Sequence, residues 1–273
     1  MTVGDGPAGD RPLRLADDAL YLERHFADQE SVRRALLARL GSAPSTGEPV
    51  GQDAAVELAL TSPVTVIAGG PGVGKTYTIR RIIDRLRDEQ PDALVALAAP
   101  TGKAAARMTE SLGDGSLTAL TLHALLRKRP GSMTRFHHDA TNPLPHDVVV
   151  VDEMSMVSMV MMSRLLEALK PCARLVMVGD PDQLSSVDAG SVLADITRAP
   201  AASGIVARLV QNYRFTGAIQ ELATAIREGD AEAALSVLHR PDASVRLVPV
   251  DAGAAVLRER VAVAGGRVFE AAA

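Results

Sequence analysis

The chain has 273 residues, an apolar share of 47% and a formal net charge of −4. That apolar fraction supports a sizeable core and argues against a disordered chain, while the acidic balance excludes a basic field over the whole surface, so any nucleic-acid contact must come from locally placed donors and cations. The apolar runs fall far short of the roughly 20 residues that cross a bilayer, and the single cysteine, Cys172, has no partner for an internal disulfide.

In chain order, residues 1–12 contain Gly, Asp and Pro and lack the basic-then-apolar pattern of a secretory signal, which points to a cytoplasmic protein with no membrane partner. A helix is expected over about residues 17–40, followed by a linker at 41–49. Short β-branched runs then alternate with amphipathic segments: Val64–Ala68, 94–99, Val148–Val151, 175–178 and, more weakly, 245–248. Near-continuous apolar runs of this length suit strands of a parallel sheet covered on both faces. The expected fold class is therefore α/β, a doubly wound, mainly parallel sheet. Residues 127–146 break the pattern with Arg, Lys, Pro, Gly, His and Asn, and read as an excursion from the sheet.

Gly69, Gly70, Pro71, Gly72, Val73, Gly74, Lys75 and Thr76 fit G-x-x-x-x-G-K-[ST], between a strand and a helix expected over 76–87. Glycines let backbone N–H groups curl around phosphates, Lys75 reaches the β- and γ-phosphates, and Thr76 offers a hydroxyl to Mg²⁺, which makes ATP with Mg²⁺ the expected cofactor pair. Asp152 and Glu153 end the run Val148–Val151, at the sheet edge where such folds place ligands. Asp152 is the second expected Mg²⁺ ligand, and Glu153 the group that polarises an attacking water. Gln183 follows the next strand and is placed to sense the γ-phosphate. Arg214, in Asn212-Tyr213-Arg214-Phe215, is an arginine-finger candidate, although taken alone it reads better as a surface arginine beside an aromatic. Gln52, about a dozen residues before the P-loop strand, is an ordinary exposed helix residue by spacing alone.

The order of Gln52, the P-loop, Ala99-Pro100-Thr101-Gly102-Lys103, Thr121-Leu122-His123, Asp152-Glu153-Met154-Ser155-Met156, Gly179-Asp180-Pro181-Asp182-Gln183-Leu184 and Asn212-Tyr213-Arg214-Phe215 resembles superfamily 1 helicases of the 5′-to-3′ class. Within that class the chain is similar to the RecD family, on residues 185–196 and 137–144. The resemblance implies a RecA-like P-loop NTPase domain and an ATP-dependent DNA helicase subunit that acts with RecB and RecC in exodeoxyribonuclease V. Its substrates there are single-stranded DNA and duplex ends, in double-strand break repair and recombination. It also implies that Gln52 reads adenine, that Pro100, Thr101 and Lys103 contact the sugar-phosphate backbone of a single strand, and that Thr121 and His123 make a second such contact. On spacing alone, His123 reads better as a core histidine. By the same resemblance the excursion at 127–146 corresponds to a small inserted hairpin, the pin, where a duplex parts; on its residues alone it reads equally as a solvated loop.

By the same resemblance, residues 1–48 are the end of an N-terminal helical domain with its linker, 49–240 a motor lobe, and 241–273 the start of a following region. Motifs of a second lobe are not recognisable after Asp230, so the expected polypeptide is a fragment or truncated product with poor DNA-stimulated turnover and no duplex unwinding. Residues 185–190 depart from the Pro-Ser-Val-Gly-Pro-Gly of RecD-like helicases that act without RecB and RecC, which favours the complex-forming subunit. The alternatives are a stand-alone or relaxase-fused helicase, or a catalytically weak ATP-binding module. Any exonuclease activity belongs to the complex.

Overall fold

The computed structural model describes residues 3–4, 12–16, 19–40, 47, 49–113, 115, 117–129, 131, 135–183, 192–240, 242, 244–245, 247–251, 253, 255–259 and 261–262. Two compact units result, residues 1–214 and 215–273. In chain order the first unit contains β1 (Val3–Gly4), β2 (Leu13–Ala16), β3 (Ala19–Leu22), α1 (Glu23–Leu40), α2 (Gln52–Thr61), β4 (Val64–Ala68), α3 (Lys75–Glu89), β5 (Val95–Ala99), α4 (Gly102–Leu112), β6 (Leu120–Thr121) and α5 (Leu122–Leu126). It continues with β7 (Val148–Val151), α6 (Met159–Ala168), β8 (Arg174–Gly179), α7 (Val192–Arg198) and β9 (Val206–Arg208). The second unit contains α8 (Ala218–Glu228) and α9 (Ala231–His239).

The main sheet has six strands in the order β6-β5-β7-β8-β4-β9, and every pairing is parallel. Alternation along the strands sorts the core into two layers. Val64, Val66 and Ala68 face one layer with Val149, Val151, Leu175 and Met177, against α1, α5, α6 and α7. Ile67, Val148, Val150, Val176 and Val178 face the other, against α2, α3 and α4. β4 is buried along its whole length, which explains a β-branched run with no polar alternation. The doubly wound parallel sheet expected from the sequence is therefore present.

Three local expectations are corrected. The helix expected from residue 17 begins at Glu23, because 19–22 form a strand antiparallel to β2; Ala19-Leu20-Tyr21-Leu22 alternates half-buried and exposed side chains, which suits a strand. No strand forms among the described residues of 245–248: Leu247 is largely exposed and Pro249 follows, so the run has neither a paired edge nor a buried face. The short strands β6 and β9 were not expected at all.

Helix α1 is joined to the sheet unit through Arg39. Its guanidinium donates to the carbonyls of Lys170 (3.1 Å), Pro171 (3.2 Å) and Leu169 (3.3 Å), which follow α6. Val32 and Leu36 of α1 enter the core. Burial of the guanidinium depresses the Arg39 pKa without removing its charge. Arg39→Ala is expected to lower stability by about 1–3 kcal/mol, since several carbonyls lose a charged donor at once; urea unfolding of wild type and variant measures it.

The excursion at 127–146 folds back on itself. Lys128 and Phe136 form an antiparallel bridge, Arg129 N donates to Arg135 O at 3.2 Å, and His137 N donates to Arg127 O at 2.8 Å. Phe136 is buried at the foot of this hairpin, 5.8 Å between ring centres from His123. Residues 130 and 132–134 lie outside the described residues, as does 184–191, which holds most of the segment that distinguishes the RecD family.

Candidate functional site

The C-terminal ends of the parallel strands lie along one edge, and the candidate residues other than Gln52, which opens α2 ahead of β4, lie at or after one of them. The loop 69–74 leaves β4 and enters α3. Gly69 N donates to Gly179 O (3.0 Å) and Leu209 N donates to Ala68 O (2.8 Å), so the loop's base is tied to β8 and to the end of β9. Gly72 and Gly74 adopt φ of 83° and 86°, the left-handed region where a side chain is strained. A Cβ on Gly72 would stand 2.6 Å from Arg214 Cβ and 2.9 Å from Asn212 Oδ1, and one on Gly74 would collide with Gln52 Nε2. Gly70 meets nothing within 4 Å, so contacts inside the protein do not require its lack of a side chain. Lys75 holds the loop from within: its ammonium donates to Gly69 O (2.7 Å) and Gly70 O (3.0 Å). Thr76 is the second residue of α3, in its first turn.

Beside this loop, β7 ends in Asp152 and Glu153. Burial raises the Asp152 pKa above the ordinary carboxylate value; the Glu153 N–H, donating to its Oδ1 at 2.8 Å, and the Lys75 charge oppose the shift, while the Glu153 charge adds to it. A half-buried carboxylate of this kind suits a cation ligand. Glu153 has φ of 54°, one of two non-glycine residues with positive φ among those described. Such a conformation costs about 1–2 kcal/mol in a residue with a Cβ and is common where function imposes it. The reversal turns the chain into a 3₁₀ turn, Met154–Met156. Ser155 Oγ in that turn donates to Gln183 Oε1 at 3.1 Å. Gln183 therefore comes within reach of the acidic pair's own segment, and Asp180, buried at the end of β8, accepts from Asp182 N at 3.1 Å.

Past β9, the segment 212–214 is latched onto the P-loop. Asn212 Nδ2 donates to Pro71 O (3.3 Å), Tyr213 N donates to Gly72 O (2.9 Å), and Arg214 N donates to Asn212 Oδ1 (2.8 Å). Arg214 thus starts directly over the loop. Gln52 stands at the first turn of α2, its Nε2 donating to Val73 O at 3.4 Å. Its entry is fixed because Gly51 N donates to Arg208 O (2.9 Å) of β9. Distance along the chain concealed this closeness to the P-loop. Asn212, Tyr213 and Ser155 are the contributors that sequence reasoning quoted within motifs without assigning them a role.

The remaining candidates lie on the flank formed by β5 and β6. Thr101 Oγ1 accepts from Ala104 N (3.2 Å) and caps α4; Thr121 Oγ1 accepts from Ala124 N (3.1 Å) and caps α5. The ends of β5 and β6 are paired at Ala99 and Thr121, so the two capped helix starts are neighbours. Pro100 is half-buried, while Lys103 and His123 are exposed. The loop, the acidic pair, Gln183, Arg214 and Gln52 thus gather at β4, β7, β8 and β9, apart from this second group.

The described residues fit a bound nucleoside triphosphate with a divalent cation: two left-handed glycines, an ammonium inside the loop and a half-buried carboxylate beside it. Residues 52–189, about half of the chain, match the family model for the AAA domain. Among curated proteins, the chain is 46% identical to the RecBCD enzyme subunit RecD of Mycolicibacterium smegmatis, covering 83% of this chain and 46% of that protein. It is 42% identical to RecD of Mycobacterium tuberculosis, covering 95% of this chain and 50% of the relative. The ATP-dependent RecD2 DNA helicase of Deinococcus radiodurans is 43% identical over 55% of this chain and 19% of its own length. The chain therefore spans about half the length of the curated RecD proteins it matches. Among solved structures, Pif1 helicase from Candida albicans is 22% identical with a TM-score of 0.48, over 73% of this chain and 48% of that one, too slight a likeness to argue from. The glycine cradle, the acidic pair and the matched residues 52–189 agree: the chain belongs to the AAA domain family, and over most of its length it is similar to RecD.

Proposed function

We propose that the chain is the ATP-using motor portion of a RecD-type, 5′-to-3′ DNA helicase subunit. The observation that carries the reading is the latch of Asn212, Tyr213 and Arg214 on a P-loop whose Gly72 and Gly74 are left-handed. It brings a cationic candidate to the loop that would cradle phosphates. In this reading the loop N–H groups and Lys75 bind the phosphates, Thr76 and Asp152 hold Mg²⁺, Gln183 senses the γ-phosphate, Arg214 stabilises transferred charge and Gln52 reads adenine. Glu153 orients the water. The cation, when bound, supplies charge neutralisation at the phosphates.

The flank of Pro100, Thr101, Lys103, Thr121 and His123 takes the single strand, where two capped helix starts and one lysine suit phosphates and read no sequence. The hairpin at 127–146 lies where a duplex parts. RecB and RecC as partners, and duplex ends as substrate, are supported by the similarity to the Mycolicibacterium smegmatis and Mycobacterium tuberculosis proteins described as RecBCD subunits, which spans 83–95% of the chain. In that role the protein works in the cytoplasm, and segments 1–48, 49–240 and 241–273 serve as N-terminal element, motor lobe and following region. No helix among the described residues is long and apolar enough to cross a membrane.

The test is a titration of the chain with a fluorescent ATP analogue, with and without Mg²⁺, followed by anisotropy of a labelled single-stranded oligonucleotide. Mg²⁺-dependent nucleotide binding is expected, together with strand binding that weakens as salt rises. Absence of nucleotide binding overturns the proposal.

A further inference from the structure

We infer that Ser155 is a positioning residue for Gln183: its hydroxyl fixes which end of the Gln183 amide is offered to the γ-phosphate. The inference rests on the nucleotide-binding reading above and adds to it a residue that acts only through another.

Three features bring Ser155 to its place. Glu153, with its left-handed backbone, turns the chain back after β7. Gly179, the last residue of β8, lets that turn lie against the strand: a Cβ there would stand 3.1 Å from Met154 N and 3.3 Å from Ser155 N, and 2.6 Å from Leu193 Cδ2. Ser155 is only 8% exposed as a result. From the other side, the turn carrying Gln183 is held by Gln183 N donating to Asp180 O (3.3 Å) and Asp182 N donating to Asp180 Oδ1 (3.1 Å). Two held segments then meet through one side-chain hydrogen bond, Ser155 Oγ to Gln183 Oε1 at 3.1 Å.

As placed, that bond runs from the hydroxyl to the amide oxygen. A primary amide has an accepting oxygen and a donating NH₂ at opposite corners. An anion needs the donor. With Oε1 engaged by Ser155, the NH₂ end is the one left to face a phosphate; without the hydroxyl the amide turns freely and presents the repelling oxygen for part of the time. Because Ser155 belongs to the segment of Asp152 and Glu153, the same bond ties the γ-phosphate sensor to the acidic pair.

Only a triphosphate has the γ-group, so the effect has to separate ATP from ADP. A fluorescent ADP bound to the chain with Mg²⁺ is displaced by unlabelled ADP or by a non-hydrolysable ATP analogue. Ser155→Ala is expected to weaken the ATP analogue about fivefold to tenfold, a fraction of what a hydrogen bond to a charged group contributes, and to leave ADP unchanged. Gln183→Ala is expected to match or exceed that loss, and the double variant to equal Gln183→Ala alone, because Ser155 has nothing to orient once the amide is gone. Equal losses for both nucleotides, no loss for either, or additive effects in the double variant would overturn the inference while sparing the nucleotide-binding reading. A wild-type chain that binds neither nucleotide overturns that reading, and the inference with it.

Discussion

Lys75→Ala is expected to weaken Mg²⁺-dependent ATP binding at least about 100-fold, because the ammonium makes more than one charged hydrogen bond and each contributes about 1.5–3 kcal/mol. In the structure the same nitrogen already donates to the carbonyls of Gly69 and Gly70. Those carbonyls lose their donor in the variant, and the loop loses the tie that closes it. Lys75 also lowers the Asp152 pKa against the burial that raises it. Removing the lysine therefore leaves Asp152 easier to protonate and poorer as a cation ligand. The lost carbonyl bonds should also lower fold stability, as for Arg39, and a melting curve recorded beside the binding titration measures that loss. Unchanged ATP affinity in a folded variant would remove the P-loop assignment.

Much of this site was legible because its chemistry is written in contiguous residues. Gly69 to Thr76 must be continuous to cradle phosphates, and the run Val148–Val151 before Asp152 could hardly be anything but a buried strand. What the sequence concealed is the work of pairings distant along the chain. Gln52 reads as a plain surface helix residue until the hydrogen bond from Gly51 to Arg208 of β9 carries it to Gly74. Asn212 looks like the neighbour of a candidate arginine, yet its amide bridges Pro71 and Arg214. The strands β6 and β9 escaped notice because each is two or three residues long and is a strand only through its neighbours, Ala98 and Ala99 for one and Val66 to Ala68 for the other. The opposite error, a strand at 245–248, came from trusting β-branched residues where no strand among the described residues pairs with them. Propensity is weakest where pairing decides. Thr101 and Thr121, by contrast, are helix caps in the structure, and the strand contact proposed for them goes beyond those caps.

Asp152→Asn is expected to do two opposite things: abolish Mg²⁺-dependent nucleotide binding, and raise the melting temperature of the nucleotide-free chain at pH 7. The first follows because an amide brings no negative charge to the cation. The second follows from burial. Desolvation, the largest influence on Asp152, lifts its folded pKa above the unfolded value, so the folded chain favours the protonated acid. The stability this provides is complete below the ordinary carboxylate pKa and is lost as pH rises through the raised value. Above that raised value the fold carries a half-buried charge that an amide would not impose, and the amide oxygen still accepts from the Glu153 N–H, as Oδ1 does at 2.8 Å. The gain in melting temperature should shrink as the pH is lowered through the raised pKa, where wild type and variant are both neutral at this position. Added Mg²⁺ and ATP should reverse the order, stabilising wild type alone. A variant that melts below wild type at pH 7 in the absence of ligand would mean that the Asp152 charge is satisfied within the protein, and that its burial is not held in reserve for a cation.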